Sequence, residues 1–271
     1  MQSVEIPSGR LAYEVAGSEG DPVALVHGGW DDHRTWDRVV PGLSTALRVL
    51  LYDRRGHGAS RGPTRLRPVR DDASDLARLL EVTDAYPAHL VGHAYGGVVA
   101  LRVAVDRPEL VRSVAFHEVP FVGLLEASRT TGSLSEELGQ VREIAPTRPE
   151  EAARRYLELF GSPSERWASL DLPSRQGFLR QAGVWAEEMG DPEATRPERD
   201  ELLGVAVPVL ATSGAASPEF ARQVHDRLVA ELPNARAVRL SEGGHRIHRT
   251  DPDLWVGVLG AFLLERDVPT T

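Results

Sequence analysis

The eight residues Leu90-Val91-Gly92-His93-Ala94-Tyr95-Gly96-Gly97 (LVGHAYGG) decide how this 271-residue chain is read. His89–Val91 reads as a strand, and Tyr95 to Val105 carries a helical pattern that Arg107-Pro108 ends. Gly92 and Gly96 stand two residues to either side of Ala94. A strand that turns straight into a helix holds its central residue in a tight bend. Residues two before and two after must then lack side chains, because neighbouring strands approach there. This is the geometry of G-x-S-x-G, in which the central serine is a nucleophile; here the centre is Ala94. A glycine-rich phosphate loop is the competing reading, but G-x-G-x-x-G and G-x-x-x-x-G-K both have the wrong spacing.

Outward from this turn, short strand patterns alternate with helical ones. Val4–Ile6 and Leu11–Val15 predict a hairpin around Pro7-Ser8-Gly9. Val23–Val26 predicts a buried strand ending in His27-Gly28-Gly29, and Arg48–Tyr52 another, followed by the loop DRRGHGAS. A helix is expected over Trp36–Leu47, interrupted early by Pro41-Gly42, and another over Val69–Val82, with Ala73, Leu76, Leu79 and Leu80 at helical spacing. After the strand Val111–Phe116 the alternation stops. From about residue 120 to 204 the chain is rich in Arg, Glu, Pro and helix formers, with amphipathic helices at LSEELGQVREI and PEEAARRYLELF. Strand patterns resume at Val207–Thr212 and Ala237–Leu240, with helices from about Pro218 to Glu231 and about Pro252 to Leu264. The fold class is therefore α/β, a mainly parallel central sheet with helices on both faces. Residues 1–119 and 205–271 are expected to form its core, and 120–204 a helical cap over the carboxyl edge, where ligands bind in such sheets.

Three further stretches carry chemistry. His27-Gly28-Gly29-Trp30 ends an early strand, and a backbone N–H of Gly29 or Trp30 can pair with that of Tyr95 to make an oxyanion hole. Gly243-Gly244-His245 follows the last strand, where a loop histidine can reach the turn and act as general base. The chain has nine histidines, so position in the order singles out His245. A carboxylate is needed to orient it. The loop after Val207–Thr212 reads Ala215-Ala216-Ser217-Pro218 and offers none before Glu219, whereas Phe116-His117-Glu118-Val119-Pro120 places Glu118 at the end of the preceding core strand. Glu118 reads as the acid, or else as a salt-bridge residue at the base of the cap. Phe121, Trp167, Phe178 and Trp185 fit a cap core or a pocket wall, and Glu187 and Glu188 a solvated helix face.

Composition excludes several classes. The net charge is −9, against a nucleic-acid partner. All 31 basic residues are arginine, and the absence of cysteine removes disulfides, thiolate metal sites and cysteine nucleophiles. No apolar run approaches the ~20 residues of a membrane span, and the N-terminus lacks the pattern of a signal peptide. A cytoplasmic location follows by default.

With these residues in view, the chain resembles the α/β-hydrolase superfamily. The resemblance rests on HGGW at 27–30 with Trp36, YDRRGHGAS at 52–60, GHAYGG at 92–97, HEVP at 117–120 and GGHRIH at 243–248. The order of elbow, acid and histidine is the family's. Bacterial members with an HEPP-like strand end and a G-x-x-S-P loop are the nearest in pattern, which supports Glu118 as the acid. Ser60 matches a structural serine. The resemblance implies hydrolysis of an ester, thioester, lactone or related bond of a small molecule, with neither metal nor organic cofactor. The departure is Ala94, which has no oxygen to attack with. Three functions fit: a serine hydrolase inactivated by a serine-to-alanine replacement; a nucleophile-free enzyme using His245 and Glu118 as acid–base pair for cyclisation, elimination or isomerisation; or a ligand-binding protein on the same scaffold.

Overall fold

The computed structural model describes residues 1–7, 9–63, 68–127, 129–160 and 166–265. Ser8, in the expected first hairpin turn, lies outside the described residues. Eight strands form one sheet: β1 (Gln2–Ile6), β2 (Gly9–Ala16), β3 (Pro22–Val26), β4 (Arg48–Tyr52), β5 (Ala88–His93), β6 (Val111–His117), β7 (Val209–Gly214) and β8 (Ala235–Leu240). Their spatial order is β1-β2-β4-β3-β5-β6-β7-β8. β1 and β2 pair antiparallel with each other, and β2 antiparallel with β4; the remaining neighbours are parallel.

The central strands are buried on both faces, so they read as apolar runs and not as alternations. The helices α1 (Val40–Leu43), α2 (Val69–Val82), α3 (Tyr95–Asp106), α8 (Glu219–Glu231), α9 (Ile247–Thr250) and α10 (Pro252–Leu263) accompany the sheet. α2, α3 and α8 contribute to one buried cluster, built on Leu76, Leu79, Val99, Val224 and Leu228. Trp36, α1 and α10 contribute to the other, built on Trp36, Leu43, Trp255 and Leu259. Each face of the sheet thus buries its own apolar layer.

The helix expected over Trp36–Leu47 is not continuous. A 3₁₀ turn covers His33–Trp36, and α1 is a single turn of four residues with Pro41 at its start. Proline has no N–H and its ring collides with the carbonyl four residues back, so a helix begun at Trp36 cannot run through Pro41.

Between β6 and β7 lie α4 (Arg129–Ile144), α5 (Pro149–Phe160), α6 (Leu172–Glu188) and α7 (Arg199–Leu203). α4, α5 and α6 share a third apolar cluster that includes Val141, Tyr156, Phe160, Phe178 and Trp185, and that takes in Trp30 from the sheet side. No strand pattern marks α6, and no single stripe does either: its buried residues run through Gln181, Ala182, Val184, Trp185, Ala186 and Glu188. A helix enclosed on several sides loses the one-sided period that identifies a surface helix.

Candidate active site

The turn between β5 and α3 holds Ala94 at φ 48°, ψ −118°. This positive φ is strained for any residue with a Cβ. The Ala94 N–H donates to the His117 carbonyl at 2.9 Å, which ties the turn to the end of β6. A Cβ on Gly92 would meet the Gly96 and Gly97 backbone, and one on Gly96 would meet the Val26 and His27 carbonyls. The two glycines are therefore required by close backbone approach. Ala94 is 8% exposed, and it lines a cavity of about 230 Å³.

β6 and β7 carry Glu118 and the groups that hold its carboxylate. In the register His93 pairs with His117 and His117 with Thr212, so Glu118 emerges beside the turn. Glu118 also has positive φ, 48°, and is buried. Its Oε2 lies 3.0 Å from His245 Nδ1. Its Oε1 accepts from the Gly214 amide at 3.0 Å and from the Ser217 hydroxyl. Burial alone would push this carboxyl up, but His117, His245 and Ser217 outweigh it and hold it at about 2. His117, buried, is itself lowered to about 4 by desolvation and is neutral at pH 7. At neutral pH the hydrogen bonds therefore keep Glu118 ionised. His245 is buried, its backbone carbonyl anchored by His93 Nε2 at 2.8 Å.

The wall opposite is made by Gly29 and Tyr95, which both line the cavity. Trp30 does not line it; its ring stacks on Trp185 at 4.9 Å between centroids, within the third cluster. A Cβ on Gly29 would lie 2.6 Å from Trp185 Cδ1 and 2.7 Å from Glu188 Oε2. Behind this wall sits a buried charge network. Arg54 donates to the His27 carbonyl at 3.1 Å and the Gly28 carbonyl at 3.0 Å, and its guanidinium lies 4.7 Å from the centre of the Tyr95 ring. Arg54 pairs at 2.5 Å with Glu188, which also bonds His57 at 2.9 Å. Burial works against the Arg54 charge, but Glu188 and Asp72 raise its pKa on balance.

Glu188 is thus not on a solvated helix face, as expected from the sequence: it is 0% exposed, at the end of α6, and reaches the loop that follows β4. Its partner Arg54 lies far away in the sequence, and nothing local marks the pairing. Removing one member of a buried ion pair costs about 3–5 kcal/mol when the other is left uncompensated; Asp72, 3.5 Å from Arg54, remains and favours the lower end. Glu188→Ala is expected to lose that much stability, measured as a lower urea midpoint with an unchanged slope. A loss below about 1 kcal/mol would mean that the pair behaves as an exposed one.

Trp185 lines the cavity, whereas Trp167 and Phe178 belong to the cluster of α4, α5 and α6, and Phe121 to the core beneath α3 and α8. Ser60 is buried, accepting from the Ala12 amide at 2.8 Å and donating to the Asp53 carbonyl at 2.6 Å. Two residues near the dyad were missed by sequence reasoning. Ser217 stands where a carboxylate was sought and supports the carboxylate of Glu118 instead. Tyr156 approaches His245 from α5. Only the serine could have been found, from its place in the G-A-A-S-P loop.

Among the described residues, Asp31, His93 and His248 bring ligand-type atoms within 4.8 Å of one another, as do Asp32, His33 and Asp53. Each group has internal partners: Asp31 pairs with Arg246 at 3.2 Å, His248 bonds Thr35 at 2.8 Å, and Asp53 bonds His33 at 2.7 Å.

The buried histidines make the fold acid-labile. Desolvation lowers His27, His93 and His248 well below 6.5, and lowers His89 and His117 to about 4. A lowered pKa means that the unfolded chain binds protons first. The stability these groups contribute is complete above pH 6.5 and is lost as pH falls towards 4; His33, raised by its hydrogen bond to Asp53, works the other way. Unfolding titrations are expected to lose at least about 2 kcal/mol between pH 6.5 and 4; a flat profile there would contradict this.

The profile of the Alpha/beta hydrolase family matches residues 23–258. The chain is 27% identical over 268 residues to the magnesium-chelatase 30 kDa subunit of Rhodobacter capsulatus, covering 89% of this chain and 86% of that one. It is 25% identical over 289 residues to the pyrrolizixenacetamide deacetylase of Xenorhabdus hominickii, covering 99% and 100%. The enol-lactonase of Burkholderia xenovorans LB400 superposes with a TM-score of 0.78 at 22% identity, covering 97% and 100%; at that identity the likeness concerns the fold.

Proposed function

Because the chain belongs to the Alpha/beta hydrolase family, we propose that its site is built to hydrolyse an ester, thioester or lactone of a small apolar molecule. Ala94 then stands as an inactivating replacement for the nucleophilic serine. One observation carries this reading: Ala94 keeps φ 48° beside a fully formed His245–Glu118 pair. Such backbone strain costs about 1–3 kcal/mol and has no use for a methyl group. It has a use for a hydroxyl, which it lifts out of the sheet into the cavity.

With an oxygen at this position the chemistry would run in two steps. The hydroxyl oxygen attacks the carbonyl carbon while its proton passes to His245 Nε2, and Glu118 holds the resulting imidazolium. The amides of Tyr95 and of Gly29 or Trp30 receive the oxyanion; the C–O or C–S bond then breaks, and His245 gives its proton to the leaving alcohol or thiol. Water then attacks the acyl-enzyme, giving a proton to His245 and releasing the acid. Residues 120–204 serve as the cap on a core of 1–119 and 205–271, and the apolar wall from Phe160 and Trp185 suits a small apolar substrate. The name of the similar deacetylase supports hydrolytic chemistry of this kind. As it stands, the chain has no side chain at the elbow that could form an acyl-enzyme. The test is the Ala94→Ser protein on a panel of p-nitrophenyl esters and thioesters, beside the unaltered chain. Tight ligand binding without turnover in both proteins would favour a binding role instead.

A further inference from the structure

The base of the site has a partner that the elbow does not supply. Tyr156, on α5, places its hydroxyl 3.2 Å from His245 Nε2, the nitrogen that would take a serine proton. His245 Nδ1 faces the Glu118 carboxylate at 3.0 Å, so Nδ1 carries the ring proton and Nε2 accepts one from Tyr156. The phenol is fixed in place. Its ring stacks on Phe160 at 4.7 Å and packs against Trp30 at 5.2 Å and Trp185 at 5.7 Å. Tyr156, His245 and Ala94 all line the same cavity.

We propose that Tyr156 brings to the site the hydroxyl that Ala94 lacks, and that Tyr156, His245 and Glu118 work as a proton-transfer triad in the chain as it stands. This rests on His245 and Glu118 being a working base pair, but not on Ala94 having replaced a serine. The chemistry it suits is proton shift in a small apolar carbonyl compound with a hydrogen on the adjacent carbon. That hydrogen passes as a proton to the Tyr156 oxygen while the phenolic proton moves to His245 Nε2. The C–H pair becomes the enolate double bond, and the carbonyl pair moves onto oxygen, facing the Tyr95 and Gly29 amides. Returning the proton to another carbon completes an isomerisation with no oxidant and no leaving group.

Phenylmethanesulfonyl fluoride tests the triad without knowledge of the substrate. The Tyr156 oxygen attacks sulfur, the S–F bond breaks, fluoride leaves, and the phenolic proton goes to His245. Tyr86, 46% exposed, is the internal reference for an unactivated phenol. Peptide mass spectrometry of the unaltered chain is expected to show the Tyr156 adduct forming about 10²-fold faster than the Tyr86 adduct. In His245→Ala that advantage disappears, and in Tyr156→Phe the cavity carries no adduct. Reaction at Tyr156 no faster than at Tyr86, or equally fast in His245→Ala, overturns the proposal. The hydrolase reading is scored separately, by fluorophosphonate labelling of the Ala94→Ser protein. An active Ala94→Ser protein with an inert Tyr156 leaves that reading standing alone.

Discussion

Ala94→Ser is expected to raise ester hydrolysis at least about 10³-fold over the unaltered chain. Triad members act as a unit, so restoring the one missing oxygen should recover most of the chemistry at once. The structural cost is small. The residue already holds φ 48°, so a serine inherits strain that the fold has accepted, and its added oxygen points into an existing cavity. The dyad needs no rebuilding, because Glu118 is fixed by Gly214 and Ser217 and His245 by His93. The serine must compete with Tyr156 for His245 Nε2, so a further rise on adding Tyr156→Phe would report that competition. Labelling by a fluorophosphonate, located by mass spectrometry at position 94, accompanies the gain. If the variant is folded yet neither labels nor turns over any ester or thioester tested, the hydrolase reading is lost.

The second large effect is on the acid. Glu118→Gln, placed in the Ala94→Ser protein, is expected to remove about 10³–10⁴-fold of the recovered kcat while leaving KM near its value. An amide can offer its NH₂ to His245 Nδ1, which moves the ring proton to Nε2. The base is then protonated on the face where it must accept. The amide also loses the charge that offsets the imidazolium. The pH dependence follows from sign. Glu118 is lowered from 4.5 to about 2, so the stability and orientation it contributes are complete above pH 4.5 and fade only as pH falls through about 2. Any acid limb of the rate profile near neutrality therefore belongs to another group. Stopped-flow and steady-state kinetics on the double variant decide the matter: a kcat unchanged within about tenfold would mean that Glu118 is a structural carboxylate.

Much of the site was legible because it is written in backbone requirements. Gly92 and Gly96 mark a close approach that only a strand–helix turn needs, and the order of turn, Glu118 and His245 along the chain follows the order in which parallel strands deliver their carboxyl ends. Tyr156 carried no such mark. In the sequence it is one apolar position on an amphipathic helix, and the contact with His245 spans 89 residues. Glu188 was misread for the same reason: a charged residue at a helix end looks solvated until a distant Arg54 is folded against it. The broken helix at Trp36–Leu47 was half legible: Pro41 announced an interruption, but not that a 3₁₀ turn and a single four-residue helical turn would be all that forms.

What the sequence by itself determined is the sheet, the turn and the alanine at its centre. Local periodicity and glycine spacing report short-range sterics, and these are complete within a few residues. What the tertiary structure alone decided is the company His245 keeps. Ser217, Tyr156 and the Arg54–Glu188 pair behind Gly29 and Tyr95 come from loops and helices far apart in the chain. Side-chain hydrogen bonds and buried charges act over a few ångströms in space, whatever the distance along the chain, so no local pattern records them.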